Sequence, residues 1–170
     1  MKKTKDYLFF WGGILSNWAN VPGGIKYQKK TFPTSEHLFM WLKAHVFGDL
    51  IAMNDIENAK TPKEAKQIGR RVSGFNEKSW EVVREDLMLV ALRMKAECWP
   101  EFKDILTNTS QTFVEASPYD RIWGIGLEEN SPGIEDPKNW KGKNLLGKCL
   151  GVIRSELLYN GGNNRAQYMV

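Results

Sequence analysis

A chain of 170 residues, 42% hydrophobic and 26% charged, is long enough to bury a core and too apolar for a disordered chain. Its net charge of +4 and pI near 9.0 suit a phosphate-bearing or polyanionic partner, or equally a generic basic surface. Cys98 and Cys149 stand far apart with no Cys/His cluster, which excludes a disulfide framework and a zinc centre. No run approaches the ~18 apolar residues of a membrane span. The expectation is a reduced, cytoplasmic protein with no membrane partner.

The first element is an aromatic run, Tyr7 to Trp11, closed by Gly12-Gly13, which reads as a short buried strand. After a loop through Pro22-Gly23-Gly24, Ile25 to Phe32 alternates imperfectly and reads as a second strand. Thr34 then caps a helix through Glu36, His37, Met40, Trp41, Lys43 and His45, with no Gly or Pro for a dozen residues. A short helical piece follows near Leu50 to Asn54. Thr61-Pro62-Lys63-Glu64 carries a capping-box signature for the next helix.

Asn76 caps the longest helical pattern, in which Trp80, Val83, Leu87, Ala91 and Met94 recur at steps of three and four. Glu81, Arg84, Glu85, Arg93 and Lys95 are assigned to its other faces. A helix from Glu101 to about Asn108, a strand over Gln111 to Ala116, and a polar insertion from Glu128 to Lys143 complete the middle. The last helix starts near Asn144 and is expected to stop at Gly161-Gly162, leaving residues 161–170 as a flexible tail. With no βαβα alternation, no GxGxxG and no Walker A motif, this order predicts a helix-rich α+β single domain over residues 1–160 with a small sheet.

Three segments bear reactive groups. On the Thr34 helix, Glu36 and Lys43 share a face: either an acid and a nucleophile beside a pocket, or a solvated charge pair. His37 and His45 match no metal-binding pattern, so no metal or cofactor is assigned, and His37 reads as a hydrogen-bonded structural residue. In Ser117-Pro118-Tyr119-Asp120-Arg121-Ile122-Trp123-Gly124-Ile125-Gly126, Asp120 and Trp123 either flank a ligand approached by the Gly124 backbone or cap a turn and plug the core. Lys143 and Asn144, entering the last helix, form either a phosphate cradle or a basic turn with Asn144 as cap. Lys66 to Arg71 offers a basic helix face or an anion contact.

Several stretches in this order resemble the NADAR (YbiA-like) family: Phe10-Trp11-Gly12 with Leu15 to Trp18, Phe32 to His37, Lys43-Ala44, Ala65 to Arg70, Trp80, Glu115 to Gly126, and Trp140 to Gly147. The resemblance implies an N-glycosidase that acts either on early riboflavin-pathway intermediates or on ADP-ribosylated nucleobases, notably ADP-ribosyl-guanine in DNA or RNA. A non-catalytic ADP-ribose or NAD reader is the alternative from another class. Carried over by motif, Glu36, Lys43 and Asp120 are the catalytic candidates. Trp18, Arg70, Trp80, Trp123, Gly124, Lys143 and Asn144 are the substrate-binding candidates. The long connection from Gly126 to Trp140 departs from the family pattern, and such loops set substrate choice.

Overall fold

The computed structural model describes residues 1–166. The described residues form six α-helices and two small sheets, a helix-rich α+β architecture. They fall into two compact units: residues 1–16 with the segment from Pro100 onward, and Asn17–Trp99.

The first unit is built on a three-stranded sheet ordered β1-β2-β5. Strand β1 (Lys2–Lys3) runs antiparallel to β2 (Tyr7–Phe10), and β2 pairs in parallel with β5 (Thr112–Glu115), Phe10 opposite Glu115. Phe9, Val114, Ala116, Ile125 and Ile134 form its core, with Tyr7, Leu127 and Trp140 packed around them. Ile134 and Trp140 come from the insertion that composition marks as polar. The Trp140 indole donates to the Ile134 carbonyl at 2.7 Å and meets Tyr7 edge-on, so this connection is pinned rather than loose. Helix α5 (Pro100–Asn108) precedes β5, and α6 (Leu145–Ala166) closes the unit. Arg154 of α6 donates to the Thr109 and Gln111 carbonyls at 2.8 and 2.7 Å, tying the helix to the entry of β5.

Helix α6 continues through Gly161-Gly162 to Ala166, past the stop that the glycine pair predicts. Each Gly costs a helix only ~1 kcal/mol relative to Ala, and a helix whose first turns are buried propagates through that penalty. Residues 167–170 of the expected tail lie outside the described residues.

In the second unit the run Ile25 to Phe32 is a hairpin, not one strand: β3 (Ile25–Tyr27) pairs antiparallel with β4 (Lys30–Phe32). The turn escapes a reading for Gly, Asn or Asp because Gln28 itself takes the left-handed conformation, φ 48°. Around the central helix α1 (Ser35–Val46) pack α2 (Leu50–Asn58), α3 (Pro62–Gly69) and α4 (Glu77–Cys98). Their starts follow the sequence signals. Thr34, Thr61 and Asn76 accept from the backbone N–H groups of His37, Glu64 and Ser79. The α3 helix lies so close to α1 that a Cβ at Gly69 would collide with the Met40 side chain.

The inward face of α4 corrects the periodicity reading. Trp80, Arg84, Met88, Ala91, Leu92, Lys95 and Ala96 are buried, while Val83, Leu87 and Met94 are only half-buried. Steps of four and three from Trp80, through Arg84, Met88, Ala91 and Lys95, select two cations that an apolar count skips.

Candidate active site

Helix α1 is buried from Ser35 to Ala44, so Glu36 and Lys43 are not a solvated pair: they are 5% and 9% exposed. The N-terminal end of α1 is held by Asn17. Its carbonyl accepts the Glu36 N–H at 3.0 Å, its side-chain oxygen accepts the Ser35 hydroxyl at 3.0 Å, and its amide donates to Met88 Sδ at 3.3 Å. The carboxylate of Glu36 thus stands in a first helical turn whose backbone is fixed from both sides.

His37 is structural. Its Nε2 donates to the Ala59 carbonyl at 3.3 Å, which leaves Nδ1 to accept the Thr34 hydroxyl at 2.8 Å. Burial pushes its pKa below the ordinary value, keeping the ring neutral. His45 stacks on Trp41 outside this arrangement.

Two turns along α1, Lys43 lies among aromatic rings. Its Nζ stands 4.2 Å from the Phe75 centroid and 5.0 Å from that of Trp80. Phe75 and Trp80 occupy the positions before and four after the Asn76 cap, those of a hydrophobic staple. Trp80 is itself packed on Phe39 at 5.4 Å and beside Phe47, with the Lys43 amine against its ring. Burial lowers the Lys43 pKa; Glu77 works against that shift and Arg70 reinforces it. An amine held this way is more readily neutral, the form that attacks carbonyl carbon. Arg70 ends α3 as an exposed residue. Trp18, in the loop before Asn20, is 45% exposed.

In the other unit, Asp120 performs the turn role directly. Its Oδ1 accepts the N–H groups of Ile122 and Trp123 at 2.9 and 2.8 Å, and its carbonyl accepts from Gly126 at 3.1 Å. That turn sets the half-buried indole of Trp123 three residues from the carboxylate. Gly124 is buried where a side chain would strike the Glu115 and Asp120 carbonyls, at 2.9 and 3.0 Å from its Cβ position. Its demand for glycine is therefore met inside the fold.

Asn144 is the knot of this loop. It takes φ 53°, which Asn tolerates better than most residues. Its side-chain oxygen accepts the Glu115 N–H, and its amide donates to the Phe113 carbonyl, both at 3.0 Å. The side chain therefore turns to β5 instead of capping α6. Neighbouring Lys143 is exposed, its N–H donating to the Arg121 carbonyl at 2.9 Å.

The structure thus places Glu36, Lys43, Trp80, Arg70 and Trp18 in one unit, and Asp120, Trp123, Gly124, Lys143 and Asn144 in the other. Sequence reasoning passes over Asn17, Phe75 and Glu77, although Phe75-Asn76-Glu77 ahead of Trp80 is itself a legible cap signal. It also places Arg84 on the wrong face of α4.

The chain is similar to known proteins over most of its length. A family model described as NADAR domain matches residues 9–158. N-glycosidase R617 of Acanthamoeba polyphaga mimivirus is 35% identical over 169 residues, covering 91% of this chain and 98% of that protein. N-glycosidase YbiA of Escherichia coli (strain K12) is 36% identical over 146 residues, 85% of this chain and 81% of that one. An NMR structure of the E. coli protein YbiA superposes with a TM-score of 0.75 at 32% identity, covering 94% of this chain and 89% of that chain. The Riboflavin biosynthesis protein PYRR, chloroplastic, of Zea mays is 36% identical over 141 residues, 75% of this chain but 20% of that protein.

Proposed function

The chain belongs to the NADAR family and is an N-glycosidase, a hydrolase of N-glycosyl bonds; from that premise we propose that its substrate is an ADP-ribosylated nucleobase, ADP-ribosyl-guanine in DNA or RNA, with Glu36, Lys43 and Asp120 as its catalytic groups. The observation that carries this reading is the pairing on α1 of a buried carboxylate with a buried amine whose pKa is lowered. Such a pair serves chemistry better than stability, because each charge pays for its loss of water. A non-catalytic reader has no use for it.

Cleavage of an N-glycosidic bond builds oxocarbenium charge at the anomeric carbon, which a carboxylate stabilises while a second one positions water. Glu36 and Asp120 divide these tasks, one of them protonated to assist the departing base. Lys43 opens a second route. Its neutral amine bonds to the anomeric carbon as the bond to the base breaks and the base leaves with a proton. The sugar ring then opens to an imine, and water hydrolyses it, restoring the amine and releasing the sugar as its aldehyde. The lowered pKa of Lys43 favours this route. Trp18 and Trp123 stack on base or ring, Trp80 acts through Lys43, and Arg70 and Lys143 anchor the sugar phosphates, with Gly124 and Asn144 shaping the loop that carries Lys143. Free thiols at Cys98 and Cys149 support a cytoplasmic setting.

A second reading, an N-glycosidase of early riboflavin-biosynthesis intermediates, draws on the similarity to the maize protein. One experiment separates the two: incubation with ADP-ribosylated guanine in DNA beside a ribosylaminopyrimidine phosphate, measuring free ADP-ribose and free ribose phosphate. Release of ADP-ribose as the faster reaction is expected. Turnover of the pyrimidine alone overturns the first reading. Borohydride added during turnover is expected to trap a sugar adduct on wild type but not on Lys43→Met, and no adduct on either removes the imine route.

A further inference from the structure

Arg84 and Lys95 are the two cations of the buried α4 stripe that the proposed chemistry leaves unused, and Arg84 is the one that lies beside helix α1 between Trp80 and Met88. It is 6% exposed, and its Nε has no hydrogen-bond partner. The nearby carboxylate of Glu81 stands 3.6 Å from one terminal nitrogen and is half in solvent. A guanidinium carries five N–H donors in a planar fork, and a buried one is favourable only when oxygens answer that fork. Glu81 answers one corner of it.

Its position follows from the two helices. Trp80, Arg84 and Met88 are spaced by four, one above the other on one face of α4. At one end of this row the Trp80 ring carries Lys43. At the other, Met88 meets Asn17, whose carbonyl holds the Glu36 backbone. The row therefore runs antiparallel to α1, with Trp80 level with Lys43 and Met88 level with the first turn. Arg84 falls between them, along the stretch of α1 that separates the carboxylate from the amine.

We propose that Arg84 is an oxyanion site: its fork binds two oxygens of a phosphate group attached to the ribosyl substrate, placing the sugar between Glu36 and Lys43. Planar bidentate recognition is what distinguishes arginine from lysine here. The inference deepens the N-glycosidase reading and rests on it for the identity of the substrate, but not for the existence of an oxyanion site.

The test uses inorganic pyrophosphate as probe on the full chain, with wild type, Arg84→Met and Arg84→Lys compared by thermal shift and calorimetric titration. Pyrophosphate is expected to raise the wild-type Tm in a dose-dependent way. Arg84→Met loses at least about thirtyfold in affinity for it, the scale for truncating one partner of a buried charged pair. Arg84→Lys keeps the charge but not the fork and falls between. In phosphate-free buffer Arg84→Met melts at or above the wild-type temperature, because a buried cation has been exchanged for a side chain that packs. On a phosphate-bearing substrate the loss appears mainly in KM. An unchanged pyrophosphate response in Arg84→Met overturns the proposal. So does a Tm well below wild type in phosphate-free buffer, which marks a structural role. If no ribosylated substrate is turned over while the response to pyrophosphate remains dependent on Arg84, the oxyanion site stands and the substrate assignment alone falls.

Discussion

Helix α1 and the Asp120–Asn144 loop carry the proposed chemistry by opposite means. On α1 the helix period displays Glu36 and Lys43, and packing holds them: Asn17 at one end, Phe75 and Trp80 at the other. In the loop the candidate side chains are also the fasteners, since Asp120 closes its own turn and Asn144 binds β5 by two hydrogen bonds. Function and stability should therefore separate cleanly under mutation on α1 and stay entangled in the loop.

The largest expected effect is on α1. Glu36→Gln keeps shape and removes the charge, and should cut kcat/KM by about 10²–10⁴-fold, the usual contribution of a positioned acid or base. Lys43→Met should cost activity on a similar scale while leaving Tm unchanged or raised, because the aromatic rings around Lys43 accept a thioether well. Turnover assays beside melting curves check both. Full activity of Glu36→Gln would sink its catalytic role, and a collapse of Tm in either variant would break the contrast with the loop.

In the loop, the comparison sharpens with a pair of substitutions at one position. Asp120→Asn retains Oδ1 for the Ile122 and Trp123 N–H groups and loses only the charge, so activity should fall roughly 10²-fold with Tm nearly constant. Asp120→Ala loses the turn as well, and should add about 1–2 kcal/mol of destabilisation. Equal Tm in the two variants would show that the turn does not depend on this carboxylate.

Legibility divides along the same line. Caps are local chemistry, so Thr34, Thr61 and Asn76 could be read directly, and with them the starts of α1, α3 and α4. The aromatic strand β2 and the strand β5 were equally plain. The Ile25–Phe32 hairpin was not, because its turn uses Gln28 against preference. Within the candidate site, the shared face of Glu36 and Lys43 follows from spacing, but the rings that surround the Lys43 amine arrive from thirty and more residues away and only folding brings them. The failure on α4 is the most instructive. Counting apolar residues assumes that buried means apolar, and Arg84 and Lys95 violate that assumption. Local rules fail where a chain gives up stability for something else.

Lys95 tests that statement at its mildest. It is 0% exposed with its Nζ 5.5 Å from the Trp99 ring, and burial pushes its pKa down to about 7. The folded value lies below the ordinary 10.5, so the unfolded chain binds more protons anywhere between them. Stability must therefore rise as pH is raised through that window, and the cost of charging a buried amine is felt fully only below about 7. Lys95→Met removes the titrating group: its Tm should exceed wild type at pH 7 by on the order of 3 °C, and the gap should close toward pH 10. Melting curves at several pH values decide it. A gap that stays constant with pH would mean that Lys95 keeps its proton in the folded state, held by its surroundings, and that the cations of the α4 stripe differ: Arg84 placed for a ligand, Lys95 for the fold.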